Sequence, residues 1–495
     1  MEYKWKAFSV TSIGSMMAGI DGTIVLLALL PIARDLSASY IAIIWVIIAY
    51  LLAMTALVLS LGRISDIYGR KRMYNLGFVV FTVGSALCGF SPDANFLIAF
   101  RVIQGVGAAM LTANSLAILA EAFPSNERGI AFGSTAIIWG VGSVIGIILG
   151  GLIVAFTTWR VIFWINVPIG IIGTVWAYRV LRESKSPTAQ GESFDLPAAA
   201  LFTGAVTSLL VGVTWGLLYG WTNASTLVAF ALVLPLFTAF VFWETRVSQQ
   251  PIVDFGFFRK RTFTFGTVAA MLQSIAIFSV NFLLVFYLEG IYGLSVLTAS
   301  YLIIPYAAAA AIVGPFGGRL TDRFGARRVA TIGLALQIVA LVAFSQLATN
   351  TPIYVLGVIE AVFGIGGGMF FPANTSMVMS DAPRGRYGIA SGVLNTLRNT
   401  GAVLSFAVSL IAVTAAVPAA IAYALFLGTF KGHLPASVAS AYLSGQSLAF
   451  LISAGLLVAS LVLIRLTVSR GPRESANKTR PRESANKTPN IINVT

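Results

Sequence analysis

Four ionisable side chains sit inside long apolar runs: Asp21 in AGIDGTIVLLALLPIA, Arg101 in FRVIQGVGAAM, Glu360 in IEAVFGIGGGM and Arg398 in NTLRNTG. Charge at such positions is costly unless it is paired or used. Two carboxylates and two guanidiniums support one kind of chemistry, the making and breaking of ion pairs as a carboxylate gains or loses a proton. At 1.5 Å per helical residue, Asp21 lies roughly 16 Å below the outer end of its run and the Arg101 Cα roughly 9 Å, with a side chain that reaches further. The same count puts Glu360 about 12 Å from the outer end and Arg398 about 15 Å from the inner one, one level in a core of roughly 30 Å. Each half of the chain is therefore expected to hold a carboxylate and a guanidinium near midmembrane, and an Asp21–Arg101 pair is geometrically allowed. Such a pair either settles two buried charges or couples protonation to movement. Glu289, at the outer end of its run, reads as a solvated rim residue.

Little else in the sequence carries chemistry. The single cysteine, Cys88, lies in an apolar run and reads as a small buried hydrophobe, and the single histidine, His433, falls in a loop. Without His, Cys or acidic clusters at ligand spacing no metal site is expected, and without a nucleophile, base and orienting group together no catalytic residue is named.

The elements that must hold the four charges are membrane helices. Of the 495 residues, 57% are hydrophobic and 10% charged, and the mean hydropathy is +0.88, where a soluble chain carries roughly 25% charged residues. Fourteen runs of about 20 apolar residues follow one another, each long enough to cross a bilayer, the first near 7–32 and the last near 446–468. The first run lacks a small-residue cleavage site and reads as a retained helix.

The net charge of +14 reports topology rather than a nucleic-acid partner. With the amino terminus inside, 27 of the 32 Lys and Arg fall in inner loops and tail, and only Arg34, Arg160 and Lys431 in outer loops. That asymmetry predicts a multi-pass plasma-membrane protein with both termini cytoplasmic.

The chain also repeats itself. GRISDIYGRKR (62–72) matches GRLTDRFGARR (318–328), FRVIQGVGAAM (100–110) lines up with IEAVFGIGGGM (359–369), and GIAFG (129–133) with GIASG (388–392). Two six-helix halves on one plan, with a site between them, is a secondary-transporter pattern. The expected architecture is all-α: an amino-terminal six-helix bundle (1–185), two linker transmembrane helices (186–254), a carboxy-terminal six-helix bundle (255–468) and a disordered tail (469–495) carrying PRESANKT twice. The segment 417–445 reads as an amphipathic outer loop, and Phe255, Phe257 and Phe258 beside Arg259, Lys260 and Arg261 suit the inner leaflet.

In GRISDIYGRKR the glycines Gly62 and Gly69 permit a tight turn, and Arg63, Arg70, Lys71 and Arg72 enforce orientation. Asp66 can pair with a basic neighbour or cap a helix amino terminus, and Asp322 is its repeat counterpart. Gly142, Gly146 and Gly150 form a smooth stripe that Gly151 widens, letting another helix approach.

These motifs resemble the major facilitator superfamily, in particular its fourteen-helix branch of drug:proton antiporters. The loop around Asp66 matches the superfamily signature between helices 2 and 3. Arg101, Gln104, Gly105 and Gly107 look like the fourth-helix motif. GSVIGIILGG looks like the fifth-helix antiporter motif, with Ile147 where proline is usual. IDGTIVLLALLPIA is similar to the first-helix motif, and WRVIFWINVPIG and PRGRYGIASGVLNTLRNTG fit the same branch. The resemblance implies that Asp66 works as a latch broken when the halves rock, that the glycine stripe belongs to the interface sealing the inward path, and that a proton gradient drives transport without a cofactor.

The function expected is proton-coupled export of amphipathic, cationic small molecules by a monomer in contact with lipid, with Trp45, Trp139, Trp164, Gln273, Asn281 and Asn395 as candidate substrate contacts. The alternatives are a transporter of a specific metabolite such as an amino acid or sugar, for which Asn374 and Asn399 add buried polar groups, and a receptor that has lost transport.

Overall fold

A computed structural model describes residues 2–183, 193–250, 252–253, 255–294, 296–382, 386–418 and 435–467. The predicted tail with its tandem repeat, His433 and most of the predicted outer loop lie outside them, as do the side chains of Glu289 and Ile147. All regular structure among the described residues is helical. The helices are α1 (Tyr3–Asp35), α2 (Tyr40–Tyr68), α3 (Arg70–Gly89), α4 (Ala94–Ala122), α5 (Arg128–Phe156), α6 (Val161–Trp164), α7 (Asn166–Val180), α8 (Leu196–Tyr219), α9 (Ala224–Phe242), α10 (Arg261–Phe286), α11 (Val296–Leu302), α12 (Ile304–Phe324), α13 (Ala326–Phe344), α14 (Ile353–Ser380), α15 (Tyr387–Thr414) and α16 (Ala436–Leu466).

Local chemistry sets many of the ends. Ser39, Asp93, Asp195 and Asn223 accept backbone N–H groups at the starts of α2, α4, α8 and α9, satisfying donors that a first turn leaves free. Gly69 (φ +112°) separates α2 from α3 and Gly325 (φ +92°) separates α12 from α13, a left-handed backbone that suits glycine and recurs at the same place in both repeats.

Twelve helical segments are long and apolar enough to cross a membrane. The fourteen expected are therefore not all met: α3 and α12 fall outside the twelve. Arg70, Lys71 and Arg72 open α3, and Arg319, Asp322 and Arg323 close α12, so charge at one end shortens their apolar parts.

Two bundles result. In the first half α1 packs on α5, and α2 and α3 on α4; in the second α12 and α13 pack on α14, and α10 on α15 and α16. The halves meet mainly through α5 against α12 and α2 against α15. Helix α8 lies on α9, α2 and α15, so the inserted pair sits beside one of these seams. One buried apolar cluster joins Leu59, Phe132 and Phe123 of the first half to Ile389, Val393 and Phe263 of the second and to Phe202 and Phe240 of the insert. It lies at the Lys- and Arg-rich end, hereafter the basic end.

Candidate functional site

The first half surrounds its buried charge completely. Asp21 of α1 is 0% exposed and Arg101 of α4 is 2% exposed, and their side chains form a salt bridge of 2.9 Å. The other Asp21 oxygen, Oδ1, accepts from Gln104 Nε2 at 2.8 Å and from Asn166 Nδ2 at 3.1 Å. Arg101 also donates to Gln104 Oε1 (2.7 Å) and to the Val46 carbonyl (3.1 Å), and its guanidinium lies over the Tyr50 ring at 4.2 Å. Ser85 of α3 accepts from both Gln104 and Asn166 at 3.2 Å. Five side chains on α1, α3, α4 and α7 thus form one charge-assisted network.

The second half does not repeat it. Glu360 of α14 is 1% exposed, and its Oε2 accepts only the Tyr306 N–H, at 3.4 Å; its Oε1 has no hydrogen-bond partner. Arg398 of α15 donates to Thr375 Oγ1 at 2.7 Å and lies over the Phe371 ring at 4.3 Å. Among the described residues no ion pair joins Glu360 to Arg398, which corrects the expectation of one matched pair per half. The reason is depth as well as rotation: Glu360 faces the start of α12, whereas Arg398 faces Thr375, about four turns along α14 nearer the basic end, so the two are not level.

At the basic end each half holds the other by a carboxylate. Asp66, 0% exposed at the end of α2, accepts from Gly388 N and Ile389 N at 3.2 Å in the first turn of α15. Asp322 at the end of α12 accepts from Gly129 N at 3.2 Å and Ile130 N at 3.3 Å in the first turn of α5. Both occupy helix amino termini, where free N–H groups and the helix dipole favour an anion.

The two differ in one respect. Arg70 pairs with Asp66 at 2.8 Å and with Glu121 at 2.6 Å, whereas the repeat puts Ala326 at the corresponding place. Among the described residues no cation pairs with Asp322. Burial pushes its carboxyl up to about 6, partly offset by the Gly129 and Ile130 amides and reinforced by nearby Glu127. Arg128 donates to the Tyr387 hydroxyl at 3.1 Å across the same seam.

Glycine brings these ends together. A Cβ at Gly62 would lie 2.6 Å from the Gly388 carbonyl oxygen, and one at Gly133 would lie 2.3 Å from that of Gly314. The stripe Gly142, Gly146 and Gly150 faces elsewhere: its would-be Cβ atoms meet backbone oxygens of Met16, Ile20 and Ile24 at 2.5, 2.6 and 3.0 Å. It packs on α1 inside the first half. Gly133 and Gly142 are nine residues apart, half a rotation on the helix, so α5 uses one glycine face per neighbour. Half-exposed Gly151 lies beside the stripe.

The remaining candidates scatter. Trp139 is 46% exposed, and Trp164 is 36% exposed and packs against Phe90. Trp45 lines an apolar groove of about 300 Å³ with Thr203 and Thr207 of α8. Gln273 donates to Gln337 at 3.4 Å, Asn281 is half-buried, and Asn395 donates across the seam to the Thr112 carbonyl at 3.4 Å. At the motif's edges, Arg63 is buried and Arg72 lies 3.5 Å from Glu183. Sequence reasoning did not single out Ser85, Tyr50, Glu121, Tyr306 or Gln337. Ser85 carries no signal in an apolar run, whereas Gln337 was readable as an amide among aliphatics.

Comparisons with known proteins agree with this architecture. Residues 11–406 match the family model described as Major Facilitator Superfamily. The riboflavin transporter RibZ of Clostridioides difficile is 33% identical over 94% of this chain and 97% of its own. The multidrug resistance protein Stp of Mycobacterium tuberculosis is 32% identical over 80% of this chain and 74% of its own. The fold is also that of the proton:xylose symporter XylE, with a TM-score of 0.64 at 14% identity over 95% of this chain and 97% of that one. The chain belongs to the Major Facilitator Superfamily and is a multi-pass membrane transporter.

Proposed function

We propose, from that membership, that the protein is a proton-coupled exporter of amphipathic small molecules in the plasma membrane, working by alternating access. The observation that carries this reading is the pair of repeat-related contacts, Asp66 on the first turn of α15 and Asp322 on the first turn of α5. Two carboxylates close one end symmetrically, and breaking both lets the halves rock about a central path. With the basic end cytoplasmic, this is the outward-facing state, and both termini lie inside. Helices α3 and α12 pack within the bundles like their neighbours, so fourteen crossings are proposed, α8 and α9 being the linker pair. The working unit is a monomer with protons, lipid and a small molecule as its partners and no nucleic acid.

The proposed coupling group is one of the two buried carboxylates, Asp21 beside Arg101 or Glu360 in the half that holds Arg398, since a buried carboxylate pays for its charge until a proton arrives. A drug-like substrate is favoured by relatives such as Stp. The second reading is transport of one flat heteroaromatic metabolite, favoured by the near full-length match to RibZ.

Reconstitution in liposomes with an imposed pH gradient tests both. Gradient-driven movement of several lipophilic cations supports the exporter. Movement of riboflavin alone supports the specific transporter, and no substrate-linked proton flux with any of them leaves a receptor.

A further inference from the structure

The two buried carboxylates are built for opposite protonation states. Asp21 meets a guanidinium and two side-chain amides, with both oxygens engaged. Each of those contacts is a donor aimed at a carboxylate oxygen. Glu360 lies about 10 Å along α14 from Ile353, with one oxygen unpartnered and the other on a single long amide contact.

That contact is itself set by glycine. A Cβ at Gly364 would lie 2.3 Å from the Tyr306 carbonyl oxygen, and one at Gly368 2.8 Å from that of Ala310. Helix α14 therefore lies close on α12, with Glu360 against the start of α12, where Ile303 interrupts the helix and Pro305 has no N–H to offer. Of the helices packed on α14, α12 offers Tyr306 as the titratable group near Glu360. Helices α5, α10 and α13 bring no charged side chain to its level, and the Arg398 of α15 is held by Thr375 about four turns away.

We propose that Glu360 is the proton-binding carboxyl of this transporter, carried neutral in the closed-in conformation, while Asp21 remains ionised and holds the first bundle together. An ionised oxygen without a donor in a dry site is replaced by a carboxylic acid, whose O–H needs only one acceptor. A route for the proton follows the same face of α14. Glu360, Gly367 and Asn374 are seven residues apart and share that face. The Gln337 Nε2 and Tyr306 hydroxyl approach Gly367, 3.4 and 3.9 Å from where its Cβ would be. Gln337 Nε2 and both polar ends of Asn374 are buried without partners, so unpartnered hydrogen-bonding groups follow this face from near the basic end up to Glu360.

This assignment rests on the proton-coupled reading, and infrared difference spectroscopy separates the two because it needs no transport. Purified wild-type protein in lipid is compared with Glu360→Gln and Asp21→Asn. The expected result is a protonated-carboxyl C=O band at neutral pH that disappears in Glu360→Gln and persists in Asp21→Asn. A band that survives Glu360→Gln, or is lost in Asp21→Asn alone, overturns the assignment. In liposomes, with tetraphenylphosphonium and riboflavin as probes, Glu360→Gln is expected to keep substrate exchange and lose gradient-driven accumulation. A wild type that shows the band but no proton flux defeats the coupled reading while leaving Glu360 protonated.

Discussion

Asp66 and Asp322 stand at matching places in the two repeats and each holds the first turn of a helix in the opposite half, but only Asp66 has a guanidinium beside it. The closed end is therefore symmetric in its hydrogen bonds and asymmetric in its charge. That asymmetry separates what each latch contributes.

Removing the better-paired latch should matter more. Asp66→Asn takes away a buried charge from two amides and leaves Arg70 with Glu121 alone, a loss of about 1.5–3 kcal/mol from the closed state, whereas Asp322→Asn removes a charge that burial already disfavours and is expected to cost less. Leu59→Cys, buried at the seam beside Gly392, reports opening by maleimide labelling, since the native Cys88 is buried. Labelling should rise about tenfold with Asp66→Asn and less with Asp322→Asn.

The Asp322 latch should respond to pH. Its carboxyl is raised from 3.8 to about 6 by burial, so the closed state holds the proton more tightly than the open, solvated one. Its contribution to closure is fully present below 3.8 and is lost as pH rises through about 6. Labelling at Leu59→Cys, taken relative to the same site in Asp322→Asn to cancel thiol chemistry, should increase across that interval. A flat ratio would remove Asp322 from gating by pH.

Small residues at the seam should be indispensable to closure alone. Gly388→Ala puts a methyl 2.5 Å from the Gly62 carbonyl oxygen, and Gly133→Ala one 2.3 Å from that of Gly314. Neither backbone can yield without parting the halves. Both variants should fold and bind substrate yet label at Leu59→Cys as if open, with distances between spin labels across the seam lengthening accordingly.

Breaking the first-half network should cost stability rather than gating. Arg101→Ala leaves the Asp21 carboxyl at 0% exposure with only amide donors, a loss of about 3–5 kcal/mol. Adding Asp21→Asn removes the stranded charge and should restore part of it. Thermal unfolding in detergent measures both, and strict additivity of the two changes would contradict direct coupling.

The linker pair should be held by its basic end. Asp195 caps α8 and accepts from the Trp243 indole, and Glu244 accepts from Ile252 N at 3.0 Å and Val253 N at 3.3 Å. Glu244→Ala should free this corner, raising limited proteolysis between 247 and 261 while leaving the two bundles resistant.

From sequence alone the helical membrane architecture, the repeat and the Asp21–Arg101 pair were legible. Apolar run length, loop charge and recurring motifs are one-dimensional quantities, so they show that the chain crosses a membrane many times and that it repeats. Whether Glu360 and Arg398 meet, which neighbour the Gly142–Gly150 stripe serves, and that Asp322 lacks a cation across space depend on helix rotation and on which helices adjoin. Those are set by packing between segments distant in the chain, Glu360 against Tyr306 being separated by 54 residues and Asp322 against Gly129 by 193. Run length put Glu360 and Arg398 at one level, and only the packed structure places Arg398 on Thr375, about four turns along α14, and leaves the Glu360 carboxyl without the partner that Asp21 has.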